Sequence, residues 1–95
     1  ITSDTILTNQ TVVVANVTAA GSDINVTLPN CALKANTYIT VRTHDPGSSG
    51  FNAIVKTAVG QGTIYTNPDT SSSSVTAGGI GLKVISIGTN WLVIY

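Results

Sequence analysis

An all-β fold follows from three features of the sequence. Short β-branched runs recur about every ten residues, turn formers stand between them, and apolar residues at helical spacing are hard to find. Together these predict a small antiparallel β-sandwich of about seven or eight strands in a jelly-roll-like arrangement. A chain of 95 residues makes one domain, because a domain of this size buries only about 60–65% of its unfolded surface and cannot support two cores. That domain is expected over residues 11–95, with residues 1–10 as a segment leading in.

The expected strands are 11–17, 24–28, 38–43, 53–58, 63–66, 82–87 and 91–95, with a less regular run at 73–76. Alternation assigns their faces. Ile24, Val26 and Leu28 share one side of the second run, with Asn25 and Thr27 on the other; Ile39 and Val41 point inward from the third, with Thr40 and Arg42 outward. The core is therefore expected to hold Val26, Leu28, Ile39, Val41, Val84 and Trp91. Val12-Val13-Val14 and Trp91-Leu92-Val93-Ile94-Tyr95 carry apolar side chains on both faces and need cover on both. In so small a domain a neighbouring subunit supplies the second cover, which makes Val12, Val14, Leu92 and Ile94 candidate subunit-interface residues.

Gly21-Ser22-Asp23, Asp45-Pro46-Gly47, Asn67-Pro68-Asp69 and Gly88-Thr89-Asn90 are turn sequences, and the last reads as a tight hairpin. Two polar, Ser- and Gly-rich stretches remain, 44–52 and 67–79, and loops on a rigid scaffold are the natural places for partner contact. His44, Asp45, Phe51, Tyr65 and Asp69, in or beside them, combine charge, hydrogen bonding and aromatic surface. They are the candidate receptor-binding residues. The run 71–74 reads as a solvated loop.

Composition narrows the function. Charged residues are 8% of the chain and apolar residues 42%, so the surface is built from Thr, Ser, Asn and Gly, the reverse of a disordered composition. A net charge of zero leaves no basic footprint for nucleic acid. No apolar run approaches the roughly 18–20 residues that span a bilayer. The chain opens on Ile1 and contains no Met, and so reads as a mature or excised piece of something longer. Cys31 is alone; it reads as a small buried hydrophobe, with an interchain bridge or a reactive thiol as alternatives.

Catalytic patterns are missing. The chain has no Glu, and its Asp residues lie in the N-terminal segment (Asp4) or in turns (Asp23, Asp45, Asp69). His44 is the only histidine, and no Gly-x-Ser-x-Gly elbow presents a nucleophile. No enzyme activity, metal site or cofactor is expected; Asn67 and Asp69 offer at most a weak calcium site. Gly60-Gln61-Gly62 and Gly78-Gly79-Ile80-Gly81 do not stand between a strand and a helix as a phosphate loop would, and read as bends. Three Asn-x-Thr sequons, at Asn9, Asn16 and Asn25, are close to what a Thr- and Asn-rich chain produces by chance.

The order of elements resembles a module of tail-fibre and spike proteins of bacteriophages and other double-stranded DNA viruses. The matching pieces are Ile24-Asn25-Val26-Thr27-Leu28-Pro29, Asn36 to Val41, Asn52 to Lys56, Gly62-Thr63-Ile64-Tyr65 and, most tellingly, the run from Leu82 through Gly88-Thr89-Asn90-Trp91 to Ile94. Ile87 stands where that family commonly has a polar residue. The resemblance implies a C-terminal homotrimeric head on a virion surface appendage, extracellular, that recognises a host glycan or protein receptor. The alternatives are a purely structural trimerisation or decoration module of the virion, and a cellular carbohydrate-binding or adhesin domain.

Overall fold

The computed structural model describes residues 1–94; Tyr95, assigned above to the last strand, lies outside the described residues. Among the described residues ten strands form two facing sheets. They are β1 (Thr5–Ile6), β2 (Val12–Asn16), β3 (Ile24–Thr27), β4 (Tyr38–His44), β5 (Ala53–Lys56), β6 (Ile64–Asn67), β7 (Thr70–Ser72), β8 (Ser74–Ala77), β9 (Leu82–Ser86) and β10 (Trp91–Ile94). One sheet has the order β1-β3-β5-β8, the other β2-β4-β9-β10-β6-β7. The all-β sandwich is as the sequence predicts.

The wholly antiparallel, jelly-roll-like pairing is not. β1 with β3, β3 with β5, β2 with β4 and β6 with β10 pair in parallel, and the other four pairings are antiparallel. The cause is the winding of the chain. From β1 to β5 each strand enters the sheet opposite the last one. Every return to a sheet therefore follows a full crossover, and strands joined that way run in the same sense. Only where hairpins take over, at β6–β7 and β9–β10, do sequential strands pair directly.

The inner faces follow the alternation. Val13, Val41 and Leu82 lie in one row across β2, β4 and β9, and Ile39, Val84 and Val93 in the next across β4, β9 and β10. Opposite them stand the rows Ile24–Ala53–Ala77 and Val26–Val55–Val75. All six expected core residues are buried. So is Cys31, a free thiol beside the carbonyls of Gln61 and Gly88.

Two buried hydroxyls bind separate segments of the fold together. Thr43 Oγ1 donates to the Ala77 carbonyl at 2.5 Å and accepts from the Ala53 amide at 3.0 Å, joining β4 to the opposite sheet. Ser86 Oγ donates to the Cys31 carbonyl at 2.7 Å and accepts from the Gly88 amide at 3.1 Å. Each buried hydroxyl is satisfied as donor and as acceptor, as burial requires.

Residues 1–10 belong to this fold. β1 extends the four-stranded sheet, Leu7 is buried in the core, and Ile1 exchanges hydrogen bonds with Val14 and Asn16 along the free edge of β2. The 11–17 run ends earlier than its pattern suggests, because Asn16 caps a one-turn helix, α1 (Val17–Ala20). The Asn16 side chain accepts from the Ala19 amide, and Gly21, at φ +67°, closes the turn in the left-handed region. The run 71–74, expected as a loop, instead lies largely in β7 and β8.

Candidate functional site

Strand direction decides which loops meet. β4, β6 and β10 run in the same sense, with β9 opposed to them. The 44–52 loop, the turn between β6 and β7 and the 78–81 turn before β9 therefore share one end of the sandwich. β9 and β10 stand between β4 and β6, so the first two of these are about three strand spacings, or roughly 14 Å, apart.

The five candidate binding residues are consequently divided. His44, Asp45 and Phe51 line one cleft of about 430 Å³, together with Arg42, Asn52 and Gly79. Tyr65 lines another of about 400 Å³, with Pro68, Leu92 and Val93. Asp69 is exposed in the turn between β6 and β7.

Asp45 holds the first cleft together. Its Oδ1 accepts from Thr18 Oγ1 at 2.5 Å, from the Ser49 hydroxyl at 2.7 Å and from the Ser49 amide at 3.0 Å; its Oδ2 accepts from the Gly50 amide at 2.9 Å. Thr18 Oγ1 in turn accepts from the Gly47 amide. These bonds, that from Thr18 foremost, hold the carboxyl well below its ordinary value of 3.8. Asp45 is thus the staple of the loop.

A pH dependence follows. A carboxyl with a lowered folded pKa contributes fully above its unfolded pKa and loses that contribution as pH falls through the folded value. The amide resonances of Ser49 and Gly50 should therefore keep their positions from neutral pH down past 4 and shift only in stronger acid. Asp45→Asn should move them at neutral pH while leaving the strands intact. Movement of the wild-type resonances between pH 6 and 4 would show that the carboxylate does not hold the loop.

His44 and Asp45 are neighbours without acting as a pair. Asp45 bonds Thr18, Ser49 and Gly50, and the His44 side chain makes no hydrogen bond among the described residues. Nor do the described residues contain a group of three or more His, Cys, Asp or Glu side chains placed to hold a metal ion. No helix among the described residues is long and apolar enough to cross a membrane.

The four candidate interface residues share the outer face of the six-stranded sheet. Val12, Thr40, Lys83 and Ile94 form one row across β2, β4, β9 and β10. The next row is Tyr38–Ile85–Leu92–Tyr65, across β4, β9, β10 and β6. Val12 is 69% and Tyr38 48% exposed, and Lys83 Nζ lies 4.6 Å from the centre of the Tyr38 ring. The corresponding face of the four-stranded sheet is more polar: its central strands carry Asn25, Thr27, Ile54 and Lys56. Tyr38 and Ile85 were not among the expected interface residues, although each alternates with an expected core residue, Ile39 and Val84.

Comparisons with known proteins find no matching family model, no matching curated protein and no matching solved structure.

Proposed function

We propose that this chain is a non-enzymatic attachment module, the homotrimeric head of a viral spike or tail fibre, which assembles through the outer face of its six-stranded sheet and meets a host surface with loops at one end. The observation that carries the reading is the outward row Tyr38–Ile85–Leu92–Tyr65, in which Tyr38 is exposed and the other three are half-buried, with exposed Val12 and half-buried Ile94 in the row beside it. Four adjacent strands presenting apolar side chains outward make a patch of the kind that marks an interface. With 8% charged residues, little repulsion opposes self-association. The virion and the extracellular setting come from the resemblance of the 82–94 run and its companions to spike and fibre heads.

Sedimentation of the chain at micromolar concentration should give a trimer. Ile85→Glu combined with Leu92→Glu should yield folded monomers, since unpaired carboxylates buried at an interface cost at least about 3 kcal/mol, or a hundredfold in association. A wild-type monomer would overturn the assembly. Competition tests the attachment: the isolated trimer should block adsorption of the particle that bears it. A trimer that leaves adsorption unchanged would point to a structural module of the virion.

A further inference from the structure

The cleft at the 44–52 loop has features that folding does not use, and its strand residue Arg42 stands four positions along β4 from Tyr38 of the proposed interface row. Arg42 is exposed on its wall, and its guanidinium makes no ion pair or hydrogen bond among the described residues. The one carboxylate in the lining, Asp45, has both oxygens occupied by its own loop. Phe51 leaves 37% of its surface exposed instead of joining the core. His44 and Asn52 add polar groups at the same wall.

The cleft is also built in advance. Besides the Asp45 staple, the Asn52 amide donates to Asp23 Oδ1 at 2.8 Å, and the Asn52 carbonyl accepts from the Ile24 amide at 3.1 Å. The start of the loop is thereby tied to Thr18 of α1 and its end to β3 and the turn before it, which lowers the ordering cost of binding. Its volume of about 430 Å³ lies within the usual range of small-ligand sites, about 300–1,000 Å³.

We infer that this cleft is the contact point of the attachment module and that its ligand is a carboxylated sugar of a surface glycan; the inference rests on the attachment reading above. A pyranose ring carries a face of C–H groups that lies well on an aromatic ring such as Phe51. Its carboxylate matches the planar fork of Arg42, which a guanidinium recognises through two parallel hydrogen bonds. Its hydroxyls find donors and acceptors in His44 and Asn52. A single guanidinium in the lining suits a single negative charge better than a doubly charged phosphate, and a bare anion would have no use for the Phe51 ring.

The test titrates the isotope-labelled chain with glucuronate, with N-acetylneuraminate and with glucose. The two acidic sugars separate the possible sources, uronic-acid polymers and sialylated glycans, and glucose is the neutral counterpart. At least one acidic sugar should shift the amides of Arg42, His44, Phe51, Asn52 and Gly79, with glucose at least tenfold weaker. Arg42→Gln should remove that preference.

Gly79→Glu provides a variant that keeps the fold. Gly79 does not have positive φ, and a Cβ built there meets nothing within 4 Å. The new carboxylate would occupy the cleft and abolish sugar binding. Val59→Glu, at a fully exposed position beyond the other end of β5 and outside the lining, should bind as wild type does. Equal affinity for glucose, or undiminished binding in Gly79→Glu, would overturn the inference. If the wild-type trimer blocks particle adsorption and Gly79→Glu blocks it equally well, the cleft falls while the attachment reading stands. If acidic sugars bind the cleft but the trimer never blocks adsorption, the ligand class stands and the viral attachment reading falls.

Discussion

Replacing Trp91 with Ala should cost about 3–5 kcal/mol, the range for removing a large aromatic from a packed core. Trp91 is fully buried at the start of β10, with Ser86 of β9 on one side and Ile64 of β6 on the other. It therefore sits where the closing hairpin joins the six-stranded sheet to its far strands. A domain of this length has roughly 5–14 kcal/mol of total stability, so the loss removes much of it. The indole also carries a cost of its own, because Nε1 is buried without a hydrogen-bond partner among the described residues. Trp91→Phe keeps most of the ring volume and removes that orphan donor, and should cost no more than about 1.5 kcal/mol. Urea unfolding of the two variants measures both effects. A loss below about 1 kcal/mol for the Ala variant would show that the indole is not the packing centre described.

How much of this was legible beforehand depends on whether the signal was local. Ile24 with Val26, and Ile39 with Val41, disclose their inward faces by alternation alone, because strand period is a property of neighbouring residues. Parallel pairing is not such a property. The side chains of β3 alternate in the same way whether β5 runs with it or against it, and only the path of the intervening β4 through the opposite sheet decides. β1 and β7 are too short, at two and three residues, to show any period.

The candidate site divides along the same line. His44 and Phe51 stand out as polar and aromatic residues in a long loop. Asp45 was read both as a turn former and as a contact residue, and the structure gives it the first role, through Thr18, a partner 27 residues away. Arg42 was read only as an outward strand residue. Its place on the cleft wall comes from the return of the 44–52 loop alongside the end of β4 and from the nearby 78–81 turn, where the Thr43 amide bonds the Gly78 carbonyl. No local pattern carries that information.

Gly62→Ala should cost about 2–5 kcal/mol. Two effects combine there. Gly62 has φ +88°, a conformation that costs an L-residue roughly 1–2 kcal/mol. A Cβ at this position would also lie 2.6 Å from the Thr89 carbonyl oxygen and 3.3 Å from Cys31 Sγ and Asn90 Oδ1, and forcing atoms into a packed site costs about 1–3 kcal/mol more. The carbonyl cannot swing aside cheaply, since it belongs to the hairpin turn whose Ile87 amide bonds the Asn90 carbonyl. Next to it, Asn90 Oδ1 accepts from the Thr63 amide at 3.0 Å, and the Trp91 amide donates to the Thr63 carbonyl at 2.9 Å. Displacing the hairpin would loosen the seat of Trp91 as well. Gly60 isolates the backbone part of the effect: it has φ +77°, but a Cβ there meets nothing within 4 Å. Gly60→Ala should therefore cost only about 1–2 kcal/mol. The difference between the two variants in urea unfolding measures the contact between the 57–63 segment and the closing hairpin, and equal losses would show that this contact contributes nothing to stability.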